Sequence, residues 1–185
     1  MKQLLFFLIV LFTAQFSYAG PLCALAPAGH NTGADQYPSP FANQQMSAVN
    51  NFLCSKFGCP PYLLLKNDTL QNAMASANQA GYQIRYSSSF MNQTVQSFGN
   101  YATIGILAHE LGHIIDFAQQ PQQIPQAQRE ATADRYAGCA FALAGHPESD
   151  LQGLANSLHA IGPSPGYPTP AQRVQLVRSG YHECK

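Results

Sequence analysis

Residues 106–116 read ILAHELGHIID, and the fold turns on how this stretch is understood. His109 and His113 are four apart, so on a helix they share a face and can place two imidazoles on one metal ion. Glu110 follows His109 directly and can lean toward the same ion without ligating it, the metal-plus-base geometry of an H-E-x-x-H segment. The plain alternative is a core helix with two hydrogen-bonded histidines and a surface glutamate, since five-residue matches arise by accident. The flanks weigh against it. ATIGILA before the motif and IIDF after it are apolar enough to bury the helix, and two histidines with a glutamate are costly to bury without partners.

A second stretch, REATADRYAG at residues 129–138, supplies what the first lacks. Glu130 and Asp134 are again four apart and face one way, so Glu130 can complete a three-ligand set with His109 and His113. Ala131, Ala133, Ala137 and Gly138 are small, as is Gly112, and we expect them to let the two helices approach closely enough to share an ion. Six of the nine acidic residues lie between Glu110 and Asp150, although Glu148 and Asp150 also fit as helix-start charges. The metzincin pattern is excluded, because Asp116 and Gln119 stand where it has glycine and a third histidine.

Working outward, Lys2, the run LLFFLIVLF and the small-residue ending SYA predict an export signal over residues 1–19, with an apolar run too short to span a bilayer. An irregular Gly- and Pro-containing arm follows over residues 20–40, then one domain over 41–185, a length suited to a single core. Only 10% of residues are charged, so Gln, Asn and Ser must supply much of the surface. Without Lys2 the balance is eight basic against nine acidic residues, which offers no basic patch and argues against nucleic acid as a partner. No later segment is apolar for long enough to cross a membrane. The five cysteines of an exported chain predict disulfides. Cys54 and Cys59 can close a tight loop, and Cys184 can reach Cys139 or Cys23; the spacings fit no cysteine zinc site.

Helical periodicity starts at Phe41 and runs through Met46, Val49, Phe52 and Leu53 until Gly58 and the prolines at 60 and 61. YLLLK and YQIRY read as strands, separated by an Ala- and Asn-rich piece that is loop or short helix. Asn100 is expected to cap the motif helix, Pro125 to sit in the first turn of the next, and Pro147 with Glu148 and Asp150 to open a helix ending near Ile161. AQRVQLVRSG is a last short helix.

With these residues in view, HELGH followed by REATADRYAG resembles the gluzincin peptidases, in particular the family of the heat-shock membrane protease, the CAAX prenyl endopeptidase and the periplasmic β-barrel-assembly-enhancing protease. NAMASANQAGYQIRYSSSFM resembles the family's N-A segment and active-site edge strand. Downstream, AGHPESDLQGLANSLHAIG and YPTPAQRVQLV resemble the helix after the glutamate ligand and a segment of histidine, proline and a following arginine. The likeness covers about residues 70–180. It implies an α+β, mostly helical, zincin-like single domain with an H-E-x-x-H helix, a glutamate-ligand helix and a small antiparallel sheet. It further implies one Zn²⁺ per chain on His109, His113 and Glu130, with Glu110 as general base and Asp134 hydrogen-bonded to a histidine ligand. The chain departs from the family in a shorter spacing between His113 and Glu130 and in Tyr167, which stands where many members have histidine.

The function so implied is that of an exported zinc endopeptidase, periplasmic or secreted, acting on protein or peptide substrates through metal-activated water. Tyr167, Arg173, His159 and His182 are the candidates to stabilise the oxyanion, and the strand around YQIRY is the candidate to pair with an extended substrate. Two other classes stay open: a zinc-stabilised binding or chaperone-like module, and a disulfide-stabilised interaction domain without metal.

Overall fold

The computed structural model describes residues 33–120 and 124–185 together with the backbone of 22–24; the expected export signal over residues 1–19 lies outside the described residues. Strand β1 is Leu22–Ala24, helix α1 Pro40–Phe57, then β2 Tyr62–Lys66, β3 Ala73–Asn78 and β4 Gly81–Tyr86. Helices follow: α2 Ser88–Phe98, α3 Asn100–Gln119, α4 Gln126–Leu143, a 3₁₀ turn Glu148–Leu151, α5 Gln152–Ile161 and α6 Pro170–Cys184. The α+β, mostly helical reading holds.

The sheet differs from expectation. Its order is β1-β3-β4-β2, with β1 and β4 antiparallel to β3 but β2 parallel to β4, so it is mixed. The Ala- and Asn-rich piece is strand β3, buried from Ala73 to Ser76. Its small side chains lie beneath α3, and burial between sheet and helix overrides the weak strand preference of alanine. YQIRY lies in β4, hydrogen-bonded on both sides, so it has no free edge for a substrate. Within the arm expected to be irregular over residues 20–40, Leu22–Ala24 forms β1, Gln36 bridges to Lys66, and Asp35 takes a fork of hydrogen bonds from Arg85 Nε (3.0 Å) and Nη2 (2.9 Å).

Local chemistry sets the helix boundaries. The Ser39 hydroxyl accepts from the Ala42 amide at the start of α1, with Pro40 in the first turn. Ser87 caps α2 in the same way. Asn100 does not cap α3: Gly99 holds that position at φ 82°, without a side-chain bond, and Asn100 is already helical. Pro125 likewise stands one residue before α4 rather than in its first turn. A capping box of Thr169 and Gln172 starts α6, which runs on to Cys184, beyond the stretch expected.

Helix α3 is the centre of the fold. From Ala102 to Phe117 every residue except Ile104 is buried, and the helix packs on α1, α2, α4, α5 and the sheet. Helix α6 packs chiefly on α4, and the disulfide Cys139–Cys184 ties them; the second disulfide, Cys54–Cys59, closes the loop after α1. Gly138 serves this pair and not the approach of α3 to α4. A Cβ on Gly138 would stand 1.8 Å from the Val177 carbonyl oxygen, and one on Gly180 would stand 1.9 Å from that of Arg135. The two glycines thus allow backbone to touch backbone reciprocally. Gly138→Ala is expected to cost about 3 kcal/mol or more, the upper range of overpacking, because a carbonyl within a helix cannot move aside as a side chain can. Urea unfolding of parent and variant measures it, and a loss below about 1 kcal/mol would contradict the contact.

Candidate metal centre

His109 and His113 project from α3 toward Glu130 on α4. The His109 and His113 Nε2 atoms are 3.1 Å apart, Glu130 Oε2 is 3.3 Å from His109 Nε2, and Glu130 Oε1 is 3.5 Å from His113 Nε2. The helices come this close because Gly112 faces α4 without a side chain: a Cβ there would stand 2.8 Å from that of Tyr136 and 3.1 Å from the Ala133 Cα.

His109 is fixed by Asp134, whose Oδ1 is 2.9 Å from Nδ1. That contact places a proton on Nδ1 and turns the Nε2 lone pair toward Glu130 and His113. Asp134 is held in turn by Arg173 of α6, which donates from Nε (2.9 Å) and Nη2 (2.8 Å). The same Nη2 lies 3.5 Å from Glu130 Oε2, and the Gln126 side chain donates to Glu130 Oε1 at 2.8 Å. The His113 ring stacks on Phe117 at 5.9 Å, one turn further along α3. Asp116 pairs with Arg129 and is not among the grouped ligand residues.

The ionisable groups of the cluster are shielded from solvent: Glu110, His113 and Glu130 are 0% exposed, His109 and Asp134 1%, and Arg173 3%, whereas Gln126 is only partly buried. Burial disfavours the protonated form of His109, but the bond from Asp134 and the charge of Glu130 outweigh it and raise its pKa to about 9. Glu110 is pushed up to about 8, mainly by burial and further by the Glu130 charge, against relief from His109, Arg173 and the nearby Ala75 amide. That amide lies near the carboxyl without making a regular hydrogen bond, and neither Glu110 oxygen has a partner among the described residues. Burial lowers His113; burial also opposes ionisation of Glu130, yet the two histidines hold that carboxyl well below its usual range.

These shifts give the metal-free protein a defined pH dependence. His109 and Glu110 both keep protons in the folded state that they lose when unfolded, so their stabilisation is full at low pH and disappears as pH rises through about 8 and about 9. His113 and Glu130 are shifted downward, so their effects fall at and below the ordinary values of 6.5 and 4.5. In chelator, the melting temperature is therefore expected to fall as pH rises from 6.5 to about 9. A flat or rising profile would contradict the assigned partners.

No family model, curated protein or solved structure matches the chain. The site is therefore judged by its own geometry. Among the described residues, His109, His113 and Glu130 form a group of ligand atoms close enough to hold one metal ion. Bonds of about 2.0–2.2 Å in a tetrahedral site separate neighbouring ligand atoms by about 3.3–3.6 Å, close to the spacings found here. Two imidazoles and one carboxylate suit zinc.

The remaining expectations divide. Asp134 meets His109, and Arg173 reaches the cluster, though as the partner of Asp134 and Glu130 and not as a free donor. His182 is an exposed residue 3.4 Å from Glu148. His159 is exposed near the end of α5. Tyr167 is half-buried and lines a cavity of about 480 Å³ with Ala127, Ala131 and Leu176, on a side of α4 that has no cluster residue in its lining. Sequence reasoning missed Gln126, although its place four residues before Glu130 puts it on the same helix face. It also missed the Ala75 amide, which has no side-chain signal at all.

Proposed function

We propose that the chain is a zinc-dependent endopeptidase acting on protein or peptide substrates. The observation that carries this reading is the pairing of a three-ligand cluster with a glutamate outside that set: Glu110 lies buried beside His109, His113 and Glu130, and neither of its oxygens has a hydrogen-bond partner among the described residues. A structural zinc site is closed by protein ligands and has no use for such a group, whereas three ligands leave a position open. When bound, zinc supplies a Lewis acid that polarises a carbonyl and acidifies water.

The residues divide the remaining tasks. His109, His113 and Glu130 hold the ion, Asp134 orients the His109 ring, and Arg173 and Gln126 orient Asp134 and Glu130. Glu110 acts as general base. Beside a Zn²⁺ ion on the three ligands its ionised carboxylate would be favoured, the form that takes a proton from water and returns it to the departing nitrogen. Two disulfides, and no helix among the described residues long and apolar enough to cross a membrane, are compatible with the export that residues 1–19 lead us to propose.

One observation favours a second reading. The cluster has almost no exposed surface, as expected of a zinc-stabilised binding module whose chemistry is latent or lost. Zinc analysis of the purified protein, combined with cleavage of an unfolded protein with and without chelator, separates them. Chelator-sensitive cleavage supports the peptidase, bound zinc without cleavage the module, and absence of bound zinc overturns both.

A further inference from the structure

The strand nearest Glu110 is already occupied. Strand β3 carries Ala75, whose backbone amide lies beside the Glu110 carboxyl, and β4 takes one side of β3. On the other side, β1 pairs antiparallel with it, Leu22 opposite Ser76, Cys23 opposite Ala75 and Ala24 opposite Met74. An extended peptide adding to this edge would need the same backbone groups of β3.

We propose that Leu22–Ala24 is an internal occupant of the β3 edge that keeps the metal cluster closed, and that an extended peptide segment gains access by taking its place. This rests on the metallopeptidase reading for its substrate, but not for its metal. Three residues form only a few ladder bonds, so an incoming chain that makes the same bonds over a longer stretch can displace them. The near-complete burial of His109, Glu110, His113 and Glu130 is what such a closed state requires. The device also removes the exposed edge that β3 would otherwise present.

Two variants of the full, zinc-loaded chain test the idea. Cys23→Pro removes a strand N–H and disfavours pairing with β3. Leu22→Cys with Ser76→Cys, in a Cys23→Ser background, places two thiols on register partners and locks β1 in place when oxidised. The first readout is the rate at which EDTA strips zinc; the second is cleavage of fluorescein-labelled casein. Stripping is expected to be about tenfold faster than parent in Cys23→Pro and about tenfold slower in the locked variant. A mild reductant that leaves the parental rate unchanged should restore the locked variant. Equal stripping rates in all three proteins overturn the proposal. If Cys23→Pro fails to fold, the locked variant decides alone, by the same comparison. Faster stripping without casein cleavage in any form supports the occupied edge and removes the peptidase reading, so the two failures are distinguishable.

Discussion

Glu110→Gln is expected to abolish measurable hydrolysis, with a loss of about 10² to 10⁴ in rate, while leaving one equivalent of zinc in place. The two parts of this expectation have separate causes. Glutamine keeps the size of the side chain and removes only the oxygen that can take a proton, so the proposed base is lost. Zinc is expected to stay because the candidate ligand atoms belong to His109, His113 and Glu130. The substitution should also flatten part of the decline of metal-free stability with pH, since the group pushed up to about 8 no longer titrates. Steady-state cleavage, metal analysis and a pH series of melting curves on one preparation check all three. Parental hydrolysis in this variant would end the peptidase reading; loss of zinc together with activity would move Glu110 among the ligands.

The largest expected effect on stability belongs to Arg173→Met. Arg173 is 3% exposed and donates twice to Asp134, with Glu130 3.5 Å from the same guanidinium nitrogen. Removing it leaves two buried carboxylates with too little positive charge, and breaking such a pair costs about 3–5 kcal/mol. In a chain of this length that lowers the melting temperature on the order of 10 °C. Asp134 would also lose the partner that aims it at His109, so zinc affinity should drop by about 10- to 100-fold. Arg173→Lys restores the charge without the fork and should recover stability more than zinc affinity. Calorimetry and competition with a zinc chelator measure both, and a parental melt for Arg173→Met would mean that the cluster does not depend on this charge.

The helical half of the molecule was readable because its signals are local. The two four-residue spacings, 109/113 and 130/134, state which side chains share a face, and α3, α4, α5 and α6 fall close to where prolines, glycines and periodicity place them. The sheet was harder. Strand β3 is built from alanine and serine, whose own preference points elsewhere, and only the packing of α3 on it explains the choice. Helix α2 was missed because its polar residues mask the stripe, although Ser87 followed by Met91 and Thr94 marks a cap and a buried face. The parallel pairing of β2 with β4 is a matter of topology that no local pattern encodes.

The candidate metal site was legible as far as helix faces reach. Glu130 and Asp134 could be inferred from spacing, whereas Arg173 comes from α6, 39 residues beyond Asp134, and its contacts exist only once α6 is docked. The same limit applies to Gly138, whose small size was visible but whose facing helix was not.

The reciprocal glycine contact between α4 and α6 has a dynamic consequence. Two helices whose backbones touch, cross-linked at Cys139 and Cys184 and joined by the Asp134–Arg173 fork, move as one body. That body carries Glu130, so one wall of the cluster cannot breathe by itself. Amide exchange at the buried α4–α6 contact should be slower than along β3, where only short strands guard the bonds. An opening toward Glu110 is therefore expected from the sheet side, and the rigidity of the α4–α6 wall would set the direction from which the candidate site admits a ligand.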